Sequence, residues 1–362
     1  MRKFSNNRVN KAGKTLKDKE IHTGLQVSEA EDVLTYWRYI HLPVLNTFQA
    51  SMRNKMTGKY KGQGFVAQRL KRSSSIISKL QRQPRMQLST MQDIAGIRAV
   101  MNNLKDVRDL YGKFKRSKAK HILKEEDDYI NSPKDSGYRS IHMIFEYSKL
   151  DSESNGLKIE VQLRTKIQHI WATTVETLET FLNEPLKASE GSAEILEFLA
   201  LTSSCFALKE GCPALARHRW MTEVEMKREL IRQYKLLDIE NIIKGYSRAA
   251  KHIDENLSKK NYDYYLIKLD LTNKRANVGY YTNKELERAN EDYTNIEREI
   301  NNGSNMQAVL VSTDRISQLK RAYPNYFLDT TDFLKEMAKI ENSLPLEKPI
   351  KFSRIRFWPK GS

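Results

Sequence analysis

The chain predicts an α+β fold: a mixed β-sheet with flanking helices, followed by a smaller C-terminal α+β unit. Three observations predict it. Residues 138–147 (YRSIHMIFEY) and 158–164 (KIEVQLR) alternate apolar and polar side chains, the period of a half-buried strand. Apolar residues recur at helical spacing around these segments, so helices pack on the sheet. After residue 260, strand-like and helix-like patterns return.

Residues 1–20 carry seven Lys/Arg against two acids with no apolar period, so residues 1–27 are expected to form a flexible basic arm. Ser28 and Glu31 match a capping box. Val33, Trp37, Ile40, Val44 and Phe48 then recur at helical spacing, and Pro43 is expected to kink that helix. Residues 59–85 hold eight basic residues and no acid. A helix is expected over 69–83, with Arg72, Ser75, Lys79 and Arg82 on one stripe and Ile76, Ile77 and Leu80 on the next. Residues 97–101 (IRAVM) read as a strand, with Asp93 before it and Gly96 permitting close backbone approach. Pro133 and Gly137 tighten the loop before the strand at 138–147. In 158–164, Ile159, Val161 and Leu163 face one way, and Glu160, Gln162 and Arg164 the other.

A helix is expected over 168–182 and a helical linker over 186–235. Residues 262–271 and 276–282 read as a hairpin, 284–302 as a helix and 306–313 as a strand. These place a regulatory domain at 236–345. The tail 346–362 interleaves Arg354 and Arg356 with Phe357 and Trp358.

The length of 362 residues fits two domains. There are 62 Lys/Arg and 45 Asp/Glu, a net charge of +17, which favours a polyanionic partner. A 39% hydrophobic and 9% aromatic content excludes whole-chain disorder. No stretch has the length and apolarity of a transmembrane helix, and no apolar segment follows the basic N-terminus as in a signal peptide. No membrane partner is expected. Cys205 and Cys212 alone make neither a disulfide framework nor a zinc site, so no zinc and a cytoplasmic setting are expected.

An acid and a cation two places apart on one strand face, Glu160 and Arg164, suit Mg²⁺ and a phosphate. The plain alternative is a solvent-facing side of a sheet. Tyr138, where loop becomes strand, is placed to stack on a base, with Lys134 beside it; the alternative is a ring capping the core. Asp93 reads equally as a turn residue. The stripe at Arg72 and Lys79 reads alone as a solvated basic face.

Taken in order, RLKRSSSIISKL (69–80), DIAGIR (93–98), YINSPKDSGYRSIH (129–142), EVQLRT (160–165) and QHIWA (168–172) resemble the synthetase domain of the RelA/SpoT family. The resemblance covers roughly residues 28–185. It implies a nucleotidyltransferase-like fold and a pyrophosphokinase that moves the β,γ-diphosphate of ATP onto a ribose 3′-hydroxyl. By resemblance, Asp93 and Glu160 hold Mg²⁺, and Glu160 takes the hydroxyl proton. Arg69, Lys71, Ser75, Lys79 and Arg98 bind ATP. Lys134, Tyr138, His142, Gln162 and Arg164 surround the acceptor. No Walker A sequence offers another ATP cradle. No His-Asp dipeptide occurs, and too little chain precedes the match for a hydrolase domain.

Two acceptors fit the resemblance. Small alarmone synthetases act on GDP or GTP, but many carry an acid and a histidine where Thr173 and Glu176 stand here. The toxic branch modifies the 3′-CCA end of tRNA and needs a basic surface. Lys113, Lys115, Arg116, Lys118 and Lys120 are the candidate RNA patch, with solvated charge as the alternative. AYPNYFLDT (322–330) resembles the Tyr-x-x-Tyr of CapRel-type fused toxin–antitoxins, carried on a pseudo-zinc-finger, antitoxin-like region. That resemblance assigns Tyr323 and Tyr326 an autoinhibitory role and implies release by a phage protein such as a capsid subunit. The expected function is therefore an autoinhibited tRNA-modifying toxin of anti-phage defence. A (p)ppGpp synthetase and an inactive RNA-binding module are the alternatives. The intact Asp93 and Glu160 argue against the last.

Overall fold

The computed structural model describes residues 2–60, 62–182, 186, 191–247, 262–270, 272–273, 275–301, 303–312, 323 and 330–345. Tyr326 and the tail from 346 lie outside them.

The helices are α1 (Asn6–Lys17), α2 (Gly24–Tyr39), α3 (Leu42–Lys55), α4 (Ser73–Arg82), α5 (Leu104–Lys115), α6 (Lys166–Leu182), α7 (Ala193–Lys209), α8 (Glu223–Leu236), α9 (Ile239–Ser247), α10 (Leu286–Asn301) and α11 (Thr331–Asn342). The strands are β1 (Gly64–Leu70), β2 (Ala95–Met101), β3 (Ile122–Asp128), β4 (Ile141–Glu146), β5 (Lys158–Thr165), β6 (Tyr264–Asp270), β7 (Arg275–Tyr281) and β8 (Met306–Ser312). Among the described residues they form one sheet in the order β3-β4-β5-β2-β1-β8-β6-β7. Only β2 and β5 pair in parallel. The fold is thus α+β with a mixed sheet, as the alternation predicts.

Ile97, Ala99, Met143, Phe145, Ile159, Val161 and Leu163 share a core with α1–α3 and α5. Each such side chain contributes roughly 1.5–3 kcal/mol. The other face carries Glu160, Gln162 and Arg164. Beside it, α6–α9 and α11 close a second core around Phe198, Leu230 and Phe333.

Several expectations are corrected. The N-terminal arm is largely ordered helix: Ser5 caps α1, and Val9, Ala12 and Leu16 are buried. These residues recur at i, i+3 and i+7, an apolar stripe diluted by the surrounding lysines. The next helix begins earlier, with the capping box at Thr23 and Gln26 rather than Ser28 and Glu31. Pro43 does not kink a continuous helix; it sits in the first turn of a separate α3, where a missing N–H costs nothing. The helix expected over 69–83 is strand β1, ending at Leu70, followed by α4 from Ser73. Arg69 therefore lies on a strand. Gly64, at the start of β1, has a packing reason: a Cβ there would lie 2.4 Å from the Val100 carbonyl oxygen.

The C-terminal strands continue the sheet. β8 pairs with β1 at Gln68↔Ser312 and Arg69↔Val311, and β6 pairs with β8 along its length. These C-terminal strands are therefore docked edge-on beside the strand that carries Arg69.

Candidate active site

The parallel pairing of β2 with β5 sets Gly96 opposite Glu160 and Arg98 opposite Gln162. Antiparallel pairing sets His142 opposite Gln162, and Arg69 opposite Gly96. Cross-strand partners share a face, so Arg69, Arg98, His142, Glu160, Gln162 and Arg164 gather on one side. Gly96 adds no side chain between Arg69 and Glu160. Asp93 precedes β2, as expected, and reaches the same region from the loop.

Two clusters result. In the first, Lys71 Nζ donates to Asp93 Oδ2 at 2.7 Å, and Lys79 Nζ to Oδ1 at 3.0 Å. Burial alone would raise the Asp93 carboxyl, but Lys71 and Lys79 outweigh it and hold it below its usual value, with Glu160 opposing. Burial lowers Lys71, against the pull of Asp93. Burial, with repulsion from Arg164, pushes Arg98 down to about 10. Ser75 lies one turn before Lys79 on α4.

In the second, Tyr138 Oη and His142 Nε2 are 2.7 Å apart, and His142 Nδ1 lies 2.9 Å from Glu160 Oε1. Gln162 Nε2 donates to Glu160 Oε2 at 2.6 Å, and Arg164 Nη2 donates to Gln162 Oε1 at 2.5 Å. Burial opposes the charged form of His142, yet Tyr138 and Glu160 raise it to about 9. Burial likewise opposes ionisation of Glu160, but the His142 charge and hydrogen bonds hold it well below the carboxylate range. Tyr138 is pulled down to about 8 against burial, by Arg164 and His142. At neutral pH the region holds an ionised Glu160 beside a protonated His142.

The structure thus brings Asp93 and Glu160 within electrostatic reach of each other, with Lys71 acting on both. Among the described residues, no group of three or more His, Cys, Asp and Glu is arranged to hold a metal. Two carboxylates still suit Mg²⁺, which usually takes one or two and fills its remaining positions with water and substrate phosphates.

Other expectations shift. The Tyr138 ring is half-buried, among Tyr129, His142 and Trp171, with Arg164 5.7 Å from its centroid. Lys134 is exposed and stands 4.6 Å over the Tyr129 ring. The basic cluster spans the last turn of α5 and the residues just after it, and α5 buries Val107, Leu110 and Phe114 against the apolar face of the sheet, opposite Glu160. Lys113 donates to the Lys55 carbonyl at 2.8 Å, and Lys115 pairs with Glu126 at 2.9 Å. The structure does not bring this cluster to the site. Tyr323 is buried, and its Oη donates to the Gln68 carbonyl at 2.7 Å, electrostatically close to Arg98.

Sequence reading missed the support under the loop that leads to Tyr138. Gly137 has φ +95°, and a Cβ there would come 2.7 Å from Ser203 Cβ on α7. Ser203 Oγ donates to the Gly137 carbonyl at 2.5 Å, and Arg139 Nη2 to that of Pro213 at 2.8 Å. Nothing in the local pattern of the linker signals these contacts. The linker also holds Ser204, His218 and Glu197 in a row at 2.8 Å spacings. This has a hydrolase triad's composition, but Ser204 is fully buried and accepts from Leu215 N, so no substrate reaches it.

A family model described as a region found in RelA / SpoT proteins matches residues 68–179. The GTP pyrophosphokinase YjbM of Bacillus subtilis is 32% identical over 117 residues, covering 32% of this chain and 55% of the relative. The GTP pyrophosphokinase YwaC of the same organism is 30% identical over 143 residues, covering 36% of this chain and 67% of the relative. The chain therefore spans between about half and two thirds of these curated relatives. A crystal structure of small alarmone synthetase 1 from B. subtilis, bound to its product pppGpp, is 23% identical with a TM-score of 0.42. That match covers 48% of this chain and 93% of the other.

Proposed function

This chain belongs to the RelA/SpoT family, and from that premise we propose that it is an ATP pyrophosphokinase. The observation that carries the reading is the gathering of Asp93 and Glu160 with Lys71, Lys79, Arg69 and Arg98 on one face. In the proposed reaction, an acceptor 3′-hydroxyl attacks the β-phosphorus of ATP. The bond from that phosphorus to the α,β-bridging oxygen breaks, AMP departs, and the diphosphate remains on the 3′-oxygen. Phosphoryl transfer of this kind needs in-line positioning and charge neutralisation more than covalent help. Arg69, Lys71, Lys79 and Arg98 supply the neutralising charge, and Ser75 supports the clamp. Glu160, oriented by His142 and Gln162, receives the hydroxyl proton. Mg²⁺ held by Asp93 and Glu160 would supply further charge to the phosphates.

The proposed acceptor is the 3′-CCA end of tRNA, which makes the protein a translation-blocking toxin of anti-phage defence. The +17 charge and the departures at Thr173 and Glu176 favour it. The C-terminal unit is its autoinhibitor, released by a phage protein of capsid type. The burial of Tyr323 against β1, close to Arg98, supports that role. A second reading, GDP or GTP as acceptor, is favoured by the relatives' own names and by the Tyr138–His142–Arg164 group. Incubation with γ-labelled ATP and either tRNA or GDP tests both. Label in tRNA supports the toxin, and label in a guanosine nucleotide supports the alarmone synthetase. No AMP with either acceptor, from the wild-type chain and from a folded Tyr326→Ala variant alike, refutes the enzyme and leaves an RNA-binding module.

A further inference from the structure

We propose that Glu297, on α10, is a positioning residue of the donor site, so that the C-terminal unit completes the ATP clamp as well as standing beside it. The inference rests on the donor reading above. Glu297 Oε2 accepts from Arg38 Nη1 at 2.5 Å and from Ser73 Oγ at 2.9 Å, while Oε1 accepts from Ser73 N at 3.0 Å. Arg38 is 4% exposed and lies 5.0 Å over the ring of Tyr293, one turn before Glu297 on α10. Its Nε donates to the Lys71 carbonyl at 3.0 Å, and its Nη1 also to Ser73 Oγ at 2.8 Å.

One buried ion pair therefore grips both sides of Arg72, the N-cap of α4, which makes no side-chain cap of its own. The turn so held delivers Lys71 to Asp93, and the helix it starts delivers Lys79 to the same carboxylate. A carboxylate at a helix N-terminus satisfies an orphan N–H and complements the helix dipole. Here that carboxylate comes from 224 residues further along the chain. Arg72 adds a second tie, to Gln307 at the start of β8. Removing the C-terminal unit would take away the counter-ion of Arg38 and free the turn that sets both lysines.

The test uses the full chain carrying Tyr326→Ala, which lifts the proposed autoinhibition, with ATP and saturating tRNA or GDP, whichever takes the label. Glu297→Ala is expected to raise KM for ATP about tenfold or more, with KM for the acceptor little changed and partial recovery in Glu297→Gln. A purely structural role would instead lower the active fraction, cutting apparent kcat without a selective effect on ATP. The paired Arg38→Met/Glu297→Met variant removes both charges while keeping an apolar filling. It is expected to stay folded, by circular dichroism, and to show the same raised KM for ATP. Wild-type KM for ATP in a folded single or paired variant overturns the proposal, as does a gain of activity in Glu297→Ala. Failure of the folded Tyr326→Ala chain to bind a non-hydrolysable ATP analogue overturns the donor reading itself, and the inference with it.

Discussion

Asp93→Asn separates a carboxylate that serves chemistry from one that only neutralises two lysines. Asp93 is 18% exposed, Lys71 13% and Lys79 23%, with contacts of 2.7 and 3.0 Å. At an effective dielectric of about 20, each contact carries roughly 6 kcal/mol of gross Coulomb attraction. Desolvation of three charges offsets most of that, so the net loss of stability is about 1–3 kcal/mol. The isosteric amide keeps the shape and leaves the lysines to repel each other across a neutral group. Turnover is expected to fall further than stability does, by roughly a thousandfold or more (~4 kcal/mol), because the amide no longer neutralises phosphate charge through a cation. Denaturant unfolding measures the first quantity, and AMP release from ATP with acceptor measures the second. A folded variant that releases AMP at the wild-type rate would falsify the assignment of Asp93. A large stability loss with a proportionate activity loss would reduce it to a counterion.

The Glu160–His142 pair makes stability depend on pH. His142 is raised from 6.5 to about 9, so its contribution is complete below 6.5 and is lost as pH rises through 9. Denaturation midpoints should fall on that alkaline limb, and His142→Gln should flatten it; an unchanged limb contradicts the pairing. Gly137→Ala puts a Cβ against Ser203 at positive φ and is expected to cost roughly 1–3 kcal/mol. Its KM should rise for the acceptor while that for ATP holds; the reverse pattern refutes the loop's role. Tyr326→Ala should deepen growth inhibition at equal expression, and unchanged growth would count against autoinhibition.

Much of the sheet could be read from residues alone. In β5 the period of two separates Ile159, Val161 and Leu163 from Glu160, Gln162 and Arg164 without ambiguity, and the structure puts the first set in the core and the second at the site. The hairpin β6–β7, the helix at α10 and the strand β8 also follow their local patterns. β1 escaped because GFVAQRL is short and its last two residues run into a helical stripe, so the helix expected over 69–83 took them in. β3 escaped because ILKEEDD is an exposed edge with no apolar face to repeat. The α1 stripe escaped because three buried residues lay among many lysines.

The sequence alone determined the side-chain faces of its best strands and the set of charged groups available to a phosphate. Those depend on neighbours a few residues away. The tertiary structure decided which groups meet: Arg38 with Glu297 across 259 residues, Lys71 with Asp93, Ser203 with Gly137, and α5's lysines with the wrong face of the sheet. Such pairings depend on strand order and on how helices cross the sheet. Local periodicity carries no record of either, because the same residue pattern fits many neighbours until the whole core selects one arrangement.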